Sequence, residues 1–108
     1  MMIFPLKKEW YAKIRSGEKT VEYREVKPYW TKRLKDGTRD NFYKIRQIGD
    51  SYKFGESILP KCVLRLGYTK RQMTANITKI EVVDGKDTDL RVDKPVYAIH
   101  LANVRETE

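Results

Sequence analysis

The first third of the chain carries a helical pattern of apolar and polar positions, followed by a strand-like one. Trp10 and Ile14 are four residues apart, which places both side chains on one face of a helix that begins near Lys7. Ser16 and Gly17 predict the end of this helix, because glycine adopts the left-handed conformation of a helix C-terminus without a steric penalty.

A charged strand is predicted directly after this helix, because residues 19–24 alternate between side-chain types with a period of two. A strand of this kind has one buried face and one polar face. Val21 and Tyr23 are predicted to face the core. Glu22 and Arg24 then project together from the opposite face.

A second short helix is predicted after Lys27 and Pro28, because proline fits the first position of a helix and restricts the residue before it. Trp30 and Leu34 mark its buried side. Residues 35–57 then lose periodicity and predict a long loop. The apolar side chains of this loop either fold over the mouth of the sheet or become ordered on binding.

Most of the remaining chain predicts strands. Residues 58–66 and 72–83 show strand patterns, and the apolar phase of the second slips between Ile77 and Ile80, which indicates a β-bulge or a barrel corner. Residues 96–104 form the last predicted strand, and residues 2–6 form a short first strand that leads into the opening helix. Together these elements predict an α+β fold with about five mostly antiparallel strands and two short N-terminal helices.

Composition narrows the class of protein. The 108 residues predict a single domain, 1–108, since chains divide only well above this length. Lysine and arginine number 23 against 15 acidic residues, and the net charge of +8 favours polyanionic partners such as nucleic acid. The apolar N-terminus is too short for a signal peptide or a membrane span. The sequence therefore predicts a cytoplasmic protein without a membrane partner.

Metal and thiol chemistry are disfavoured by the same composition. Cys62 is the only cysteine and His100 the only histidine, which excludes an internal disulfide framework and disfavours a structural zinc site. Cys62 lies on an apolar stripe and is predicted to be a buried thiol, and His100 is predicted to be structural. Neither a metal nor another cofactor is expected.

The polar candidates are concentrated around the charged strand. Glu22 and Arg24 indicate a polar cleft, in which the arginine binds a phosphate or a base edge and the glutamate accepts hydrogen bonds or acts as a base. The alternative is a salt bridge that orders the rim of the sheet. Basic and aromatic residues predict an adjoining patch that tracks a nucleic-acid backbone and stacks on bases: Lys27, Tyr29, Lys32, Arg33, Arg65, Tyr68 and Lys70.

The run Ser-Gly-Glu-Lys-Thr-Val-Glu-Tyr-Arg, which ends at Arg24, resembles the signature of the ASCH family, a branch of the PUA-like superfamily. The flanking Lys-Glu-Trp-Tyr and Lys-Pro-Tyr-Trp segments are also similar to that family, as is the strand that contains Arg65. The resemblance implies a small PUA-like β-pseudobarrel. It also implies RNA or a nucleotide-like small molecule as the partner, bound in a cleft lined by Lys19, Glu22 and Arg24.

Two other functions remain open from the sequence. In the ASCH-like enzymes that hydrolyse N4-acetylcytidine, a lysine at the position of Lys19 acts with a threonine three residues later and a distant glutamate. Glu22 stands at the threonine's position here, which favours binding over catalysis. The first alternative is a metal-independent hydrolase, either an acylated-nucleoside amidohydrolase or a ribonuclease. Lys19 and Glu22 would be its catalytic residues, with Glu56 or Glu81 as the third. The second alternative is a protein-binding accessory domain.

Overall fold

The computed structural model describes residues 2–39, 42 and 45–107 of the chain. Within them, the α-helices are α1 (Lys8–Arg15) and α2 (Pro28–Gly37). The strands are β1 (Met2–Leu6), β2 (Val21–Glu25), β3 (Ser51–Lys53), β4 (Lys61–Leu66), β5 (Gln72–Asp84) and β6 (Pro95–Thr107). Short 3-10 helices cover Glu56–Ile58 and Gly85–Asp87. No helix in this part of the chain is long and apolar enough to cross a membrane.

The strands form one curled, mixed sheet that has the shape of a half-barrel. Their order is β1-β4-β5-β6-β2, and β3 pairs with β5 beside this path. Strands β1 and β4 run parallel, whereas the other pairings are antiparallel. The predicted α+β class, the mostly antiparallel strands and the two early helices are therefore confirmed. The short strand β3 raises the number of strands to six.

The curl of the sheet brings its two end strands, β1 and β2, towards each other. Arg24 of β2 donates a hydrogen bond from Nη2 to the backbone carbonyl of Pro5 in β1, at 3.0 Å. The guanidinium carbon of Arg24 also lies 4.7 Å from the ring centroid of Trp30, which stacks on Phe4. Side-chain contacts thus span the gap between β1 and β2, which we call the seam.

Each helix buries one face against the sheet. Tyr11 and Ile14 of α1 are 3% and 1% exposed, whereas Trp10 is only half-buried. The buried face is therefore centred on Tyr11 and Ile14, rather than on Trp10 and Ile14 as predicted. Trp30 and Leu34 form the buried side of α2, as predicted. Complete burial of a large apolar side chain contributes about 1.5–3 kcal/mol.

Strand β2 has the opposite orientation from the predicted one. Val21 and Tyr23 are half-buried, whereas Glu22 is only 5% exposed. Glu22 pairs across from Ile99 of β6, which is fully buried, and directly opposite residues of an antiparallel pair project to the same face. Glu22 and, two residues later, Arg24 therefore point to the concave side of the sheet. The prediction that Val21 and Tyr23 face the core is wrong.

The segment predicted as a loop over 35–57 contributes to the core. Phe42, Ile45 and Phe54 are buried and cover the interior, as in the first of the two alternatives, whereas Ile48 is 56% exposed. Part of the segment is regular, because α2 extends into it, β3 lies within it and a 3-10 helix begins at Glu56. Tyr43, another aromatic residue of this segment, lies outside the described residues.

Strand β5 is bent by two irregularities in its pairing with β6. The register shifts between Ile77 and Lys79, which confirms the irregularity predicted between Ile77 and Ile80. A second shift, between Thr74 and Asn76, was not predicted. Bulges of this kind increase local twist and help a long strand to follow a curled sheet.

Candidate functional site

A cleft of about 500 Å³ opens along the seam. Its cationic side chains are Lys7, Lys19, Arg24 and Lys27, and its carboxylates are Glu9, Glu22, Glu25 and Asp89. These four cations and four carboxylates cancel in formal charge, although the whole chain carries +8. Small-molecule sites typically have volumes of about 300–1,000 Å³. The cleft is thus large enough for a small ligand and is electrically balanced.

Four charged side chains form a row of alternating sign in this cleft. Arg24 Nη2 lies 2.6 Å from Glu22 Oε2, and Glu22 Oε1 lies 3.8 Å from Lys19 Nζ. Lys19 Nζ in turn donates to Asp89 Oδ2. Glu22 is 7% exposed at its side chain and Lys19 11%, so the middle of the row is nearly buried. Pairing of this kind offsets the cost of burying each charge.

The end of α1 fixes the position of Lys19. Gly17 has a φ of +84°, and the backbone N–H of Lys19 donates to the carbonyl of Lys13 at 3.0 Å. Ser16 caps the helix, with its own N–H donating to the carbonyl of Ala12. The predicted helix end at Ser16 and Gly17 is therefore confirmed. This turn delivers Lys19 to the edge of the concave face.

Asp89 lies in the loop between β5 and β6. Its carboxylate pairs with Lys19 and forms the end of the charged row opposite Arg24. Gly85 begins this loop, and a Cβ there would lie 2.5 Å from the carbonyl oxygen of Val92, so only glycine fits. The buried hydroxyl of Thr88 donates to the Gly85 carbonyl at 2.9 Å and accepts from the N–H of Leu90 at 3.2 Å. These contacts hold Asp89 in place. Asp89 is a residue of the cleft that the sequence pattern did not predict.

Aromatic rings surround the charged row. Both tryptophans of the protein, Trp10 and Trp30, line the cleft together with Tyr23. Lys19 Nζ lies 5.1 Å from the ring centroid of Trp10 and 4.8 Å from that of Tyr23. A cation at this distance from an aromatic face is attracted by about 0.5–2 kcal/mol. The rings therefore help to hold the cations and also give the cleft flat apolar surfaces.

Two groups near the row have raised pKa values. Burial, followed by the charges of Asp89 and Glu81, raises the pKa of the Tyr23 phenol, which therefore stays neutral and can donate a hydrogen bond. Burial, followed by the charge of Glu22, raises the pKa of the Cys62 thiol to about 12. Cys62 is a free, fully buried cysteine, so the prediction of a buried thiol is confirmed.

No protein-family model matches this sequence, and no curated protein and no solved structure matches the chain. The resemblance to the ASCH family therefore rests on the residues that carry it. The function has to be inferred from the geometry of the site.

The residues predicted to bind a ligand divide between two places. The cleft contains Lys19, Glu22, Arg24 and Lys27. A second hollow, of about 470 Å³, is lined by residues that include Tyr29, Arg33, Arg65 and Tyr68. Lys32 is exposed and pairs with Asp36 at 3.4 Å, and Lys70 is exposed in the turn between β4 and β5. Their role in binding stays a prediction.

Neither Glu56 nor Glu81, the residues predicted to be the third catalytic residue of a hydrolase, lines the cleft. Glu81 lies on β5, where its carboxylate pairs with Lys79 at 2.6 Å and lies 3.6 Å from His100. Glu56 is exposed in a 3-10 helix. The acid that contacts Lys19 in the cleft, besides Glu22, is Asp89. Among the described residues, no group of three or more His, Cys, Asp or Glu side chains is placed to hold a metal ion.

Proposed function

We propose that the protein binds RNA or a nucleotide-like ligand, with one base held in the cleft of an ASCH-type, PUA-like domain. The row formed by Arg24, Glu22, Lys19 and Asp89 is the observation that carries this proposal. The edge of a nucleobase presents hydrogen-bond donors and acceptors side by side. A row of cations and carboxylates offers the complementary donors and acceptors in the same alternating order.

The electrical balance of the cleft supports a base rather than a phosphate as its occupant. A phosphate would meet four carboxylates as well as four cations. An uncharged ring with polar edges gains from both signs of charge and lies against flat surfaces such as those of Trp10 and Trp30. Exposed bases of single-stranded RNA are commonly recognised by this combination of stacking and edge contacts.

The fold is compatible with a PUA-like assignment. A curled half-barrel with two helices early in the chain has the class of architecture that the sequence resemblance implies. The cleft lies at the seam between the two end strands of the sheet, β1 and β2. Strand β2, which contains the signature residues Glu22 and Arg24, forms one side of it.

The fluorescence of the two tryptophans provides a direct test, because both line the cleft. We expect saturable quenching on titration with at least one of cytidine, uridine, adenosine and guanosine. The signal should persist in single-stranded RNA that contains this base. If neither the four nucleosides nor short mixed-sequence RNA changes the fluorescence or the amide NMR spectrum, the proposed function is wrong.

Asp89 supplies a variant that separates the cleft from general charge effects. Asp89→Asn keeps the side-chain shape but replaces a charged acceptor, and we expect nucleoside affinity to fall by roughly fivefold. Asp93→Asn is the matched control, because Asp93 lies in the same loop, is highly exposed and pairs with Lys86 at 3.3 Å. Equal affinities of the two variants for the nucleoside would argue against binding at the charged row.

A metal-independent hydrolase is the second candidate, and the contacts of Lys19 favour it. Lys19 lies between Glu22 and Asp89, so one nearly buried amine and two carboxylates are within reach of a bound substrate. A carboxylate could accept a proton from attacking water while the lysine stabilises the developing negative charge. N4-Acetylcytidine and short RNAs are the substrates to assay. Turnover that disappears in both Lys19→Ala and Glu22→Gln, with binding retained, would establish this candidate.

A further inference from the structure

The second hollow lies directly beside the cleft. Pro5 lines both cavities. Two neighbouring residues of α2 line one cavity each: Trp30 lines the cleft and Tyr29 lines the second hollow. Their rings are in edge-to-face contact, with centroids 5.0 Å apart. A single chain that passes over Pro5 can therefore occupy both cavities.

The charges of the second hollow differ from those of the cleft. Its lining contains the guanidinium groups of Arg33 and Arg65 and one carboxylate, Asp36. This carboxylate is already paired with Lys32, at 3.4 Å. The second hollow thus has an excess of positive charge, whereas the cleft has none. Arginine groups are well suited to bind phosphate, because their planar fork of donors matches its oxygens.

The two arginines retain unused donors. Arg65 is half-buried, and its Nε is shielded from solvent. Its Nη2 makes one long hydrogen bond, at 3.4 Å, to the side-chain oxygen of Gln72, so the terminal nitrogens of this guanidinium keep donors that the described residues do not use. Arg33 is exposed and lies 4.0 Å from the ring centroid of Tyr29, which fixes the guanidinium over the ring. Both groups are consequently available to an anionic ligand.

An exposed aromatic ring stands at the edge of the second hollow. Tyr68 is 95% exposed, although the turn that carries it is well ordered by hydrogen bonds. The N–H of Gly67 donates to the carbonyl of Leu6 at 2.9 Å, and the hydroxyl of Thr69 donates to the carbonyl of Leu66 at 2.7 Å. A ring held in water on a fixed turn is a stacking platform for an unpaired base.

On the basis of the proposed function, we propose that the second hollow binds the nucleotide next to the one in the cleft. Arg33 and Arg65 contact the phosphate that links the two nucleotides, and Tyr68 stacks on the second base. The ligand class that follows is a single-stranded oligoribonucleotide, not a free nucleoside. Affinity comes from both cavities, while the neutral cleft selects the base.

A matched series of ligands and variants tests this inference. The ligands are the best-binding nucleoside, its mononucleotide and the homotrinucleotide of the same base, each titrated against tryptophan fluorescence. The variants are Arg33→Gln and Tyr68→Ser, both at exposed positions. Lys53→Gln is the control. It removes one positive charge, as Arg33→Gln does, at an exposed position of β3 that is not among the lining residues of either cavity.

We expect the trinucleotide to bind more tightly than the nucleoside. Arg33→Gln should remove most of this gain and reduce the dependence of log affinity on log salt by about 0.7. Tyr68→Ser should weaken trinucleotide binding by about tenfold, the effect of losing one stacked base. Both variants should leave nucleoside binding unchanged, and Lys53→Gln should change neither ligand's affinity beyond the general effect of one charge.

The possible failures are distinguishable. If the nucleoside binds but the trinucleotide binds no more tightly, the second hollow is not a nucleotide subsite. The same conclusion follows if Arg33→Gln and Tyr68→Ser both behave like Lys53→Gln. If no nucleoside and no oligonucleotide binds, the proposed function itself fails. A trinucleotide gain that is lost in Arg33→Gln and Tyr68→Ser, with nucleoside affinity kept, supports the inference.

Discussion

Gly17 is a position where the backbone, and not the space around it, excludes a side chain. Its φ is +84°, and an added Cβ would meet nothing within 4 Å. We expect Gly17→Ala to lower the free energy of unfolding by about 1 kcal/mol, the cost of a left-handed conformation for a residue with a Cβ. Urea denaturation followed by circular dichroism gives this value.

Gly55 provides the control for Gly17. It has equally open surroundings but a φ of −69°, which any residue can adopt. Gly55→Ala should therefore be neutral or slightly stabilising, because alanine reduces the entropy of the unfolded chain. If the two variants have the same stability, the helix end does not depend on the conformation of Gly17.

The sequence identified the near neighbours of the site and missed the distant one. Strand geometry was enough to place Glu22 and Arg24 together, whereas Lys19 joined them only through the resemblance to the ASCH family. Asp89 contacts Lys19 across a separation of 70 residues, and no local pattern reports such a contact. Tyr29 was expected in the same patch, but its neighbour Trp30 is the residue that α2 turns towards the cleft.

At the scale of secondary-structure elements, Glu106 of β6 joins α1 to the turn that precedes β5. Its carboxylate accepts hydrogen bonds from the Tyr11 hydroxyl at 2.7 Å and from Arg71 Nε at 2.8 Å, and it lies 3.2 Å from Arg15 Nε. The hydrogen bonds from Arg71 and Tyr11 lower the pKa of Glu106 from 4.5 to about 2. Glu106 is therefore negatively charged in the folded protein well into the acidic range.

This pKa shift predicts a pH-dependent contribution to stability. A carboxyl group with a lowered folded pKa stabilises the fold above its unfolded pKa, and this stability is lost as the pH falls through the folded pKa. We expect Glu106→Gln to have a lower melting temperature than the parent near pH 7. The difference should shrink as the pH falls from about 4.5 towards about 2. Melting curves across this range measure it.

Glu56→Gln is a suitable control for Glu106→Gln, because Glu56 is exposed in a 3-10 helix. Its melting temperature should follow that of the parent at every pH. A constant difference between parent and Glu106→Gln down to the lowest pH would show that Glu106 acts through packing rather than through its charge.

Strand β2 shows why an element can be predicted while its orientation is not. The alternation of residues 19–24 was sufficient to predict a strand, but hydrophobicity assigned Val21 and Tyr23 to the core. At the seam, the charged residues face the concave side instead of the apolar ones. They can do so because Glu22 Oε2 and Arg24 Nη2 form an ion pair there, at 2.6 Å. A pair of opposite charges two residues apart is therefore compatible with either face, and only the neighbouring strands decide.

Strand partners lay beyond what the sequence could predict. Most strands were expected close to their observed positions, and the bulge of β5 near Ile77 was anticipated from its apolar phase. The parallel pairing that aligns Met2 with Cys62 depends on contacts distant in sequence. Pairing order is set by how the whole sheet closes over its core, so local periodicity does not report it.

At the scale of the whole molecule, charge is distributed unevenly between the cleft and the rest of the surface. The chain carries +8, whereas the formal charges of the cleft cancel. Raising the salt from 0.1 M to 1 M shortens the Debye length from about 10 Å to about 3 Å. We expect nucleoside affinity to change by less than about twofold over this range, because a neutral ligand releases few ions.

Oligonucleotide affinity, in contrast, should fall strongly as the salt concentration rises. Each phosphate contact should contribute a slope of about −0.7 to log affinity against log salt, since binding releases counterions from the strand. Fluorescence titrations at matched salt concentrations measure both ligands in the same samples. Strong salt dependence of nucleoside binding would mean that the cleft recognises charge, and would contradict a neutral base as its occupant.

The seam also has a consequence for how copies of this chain behave in a crowded solution. A sheet that stops before closing leaves strand edges that can pair with another molecule and begin aggregation. Pro5 lacks the N–H that would recruit a neighbour, and Arg24 already occupies the Pro5 carbonyl. Inward-pointing charges on an edge strand, such as Glu22, oppose the same association. The residues that keep the cleft polar therefore also oppose pairing between the strand edges of two copies of this chain.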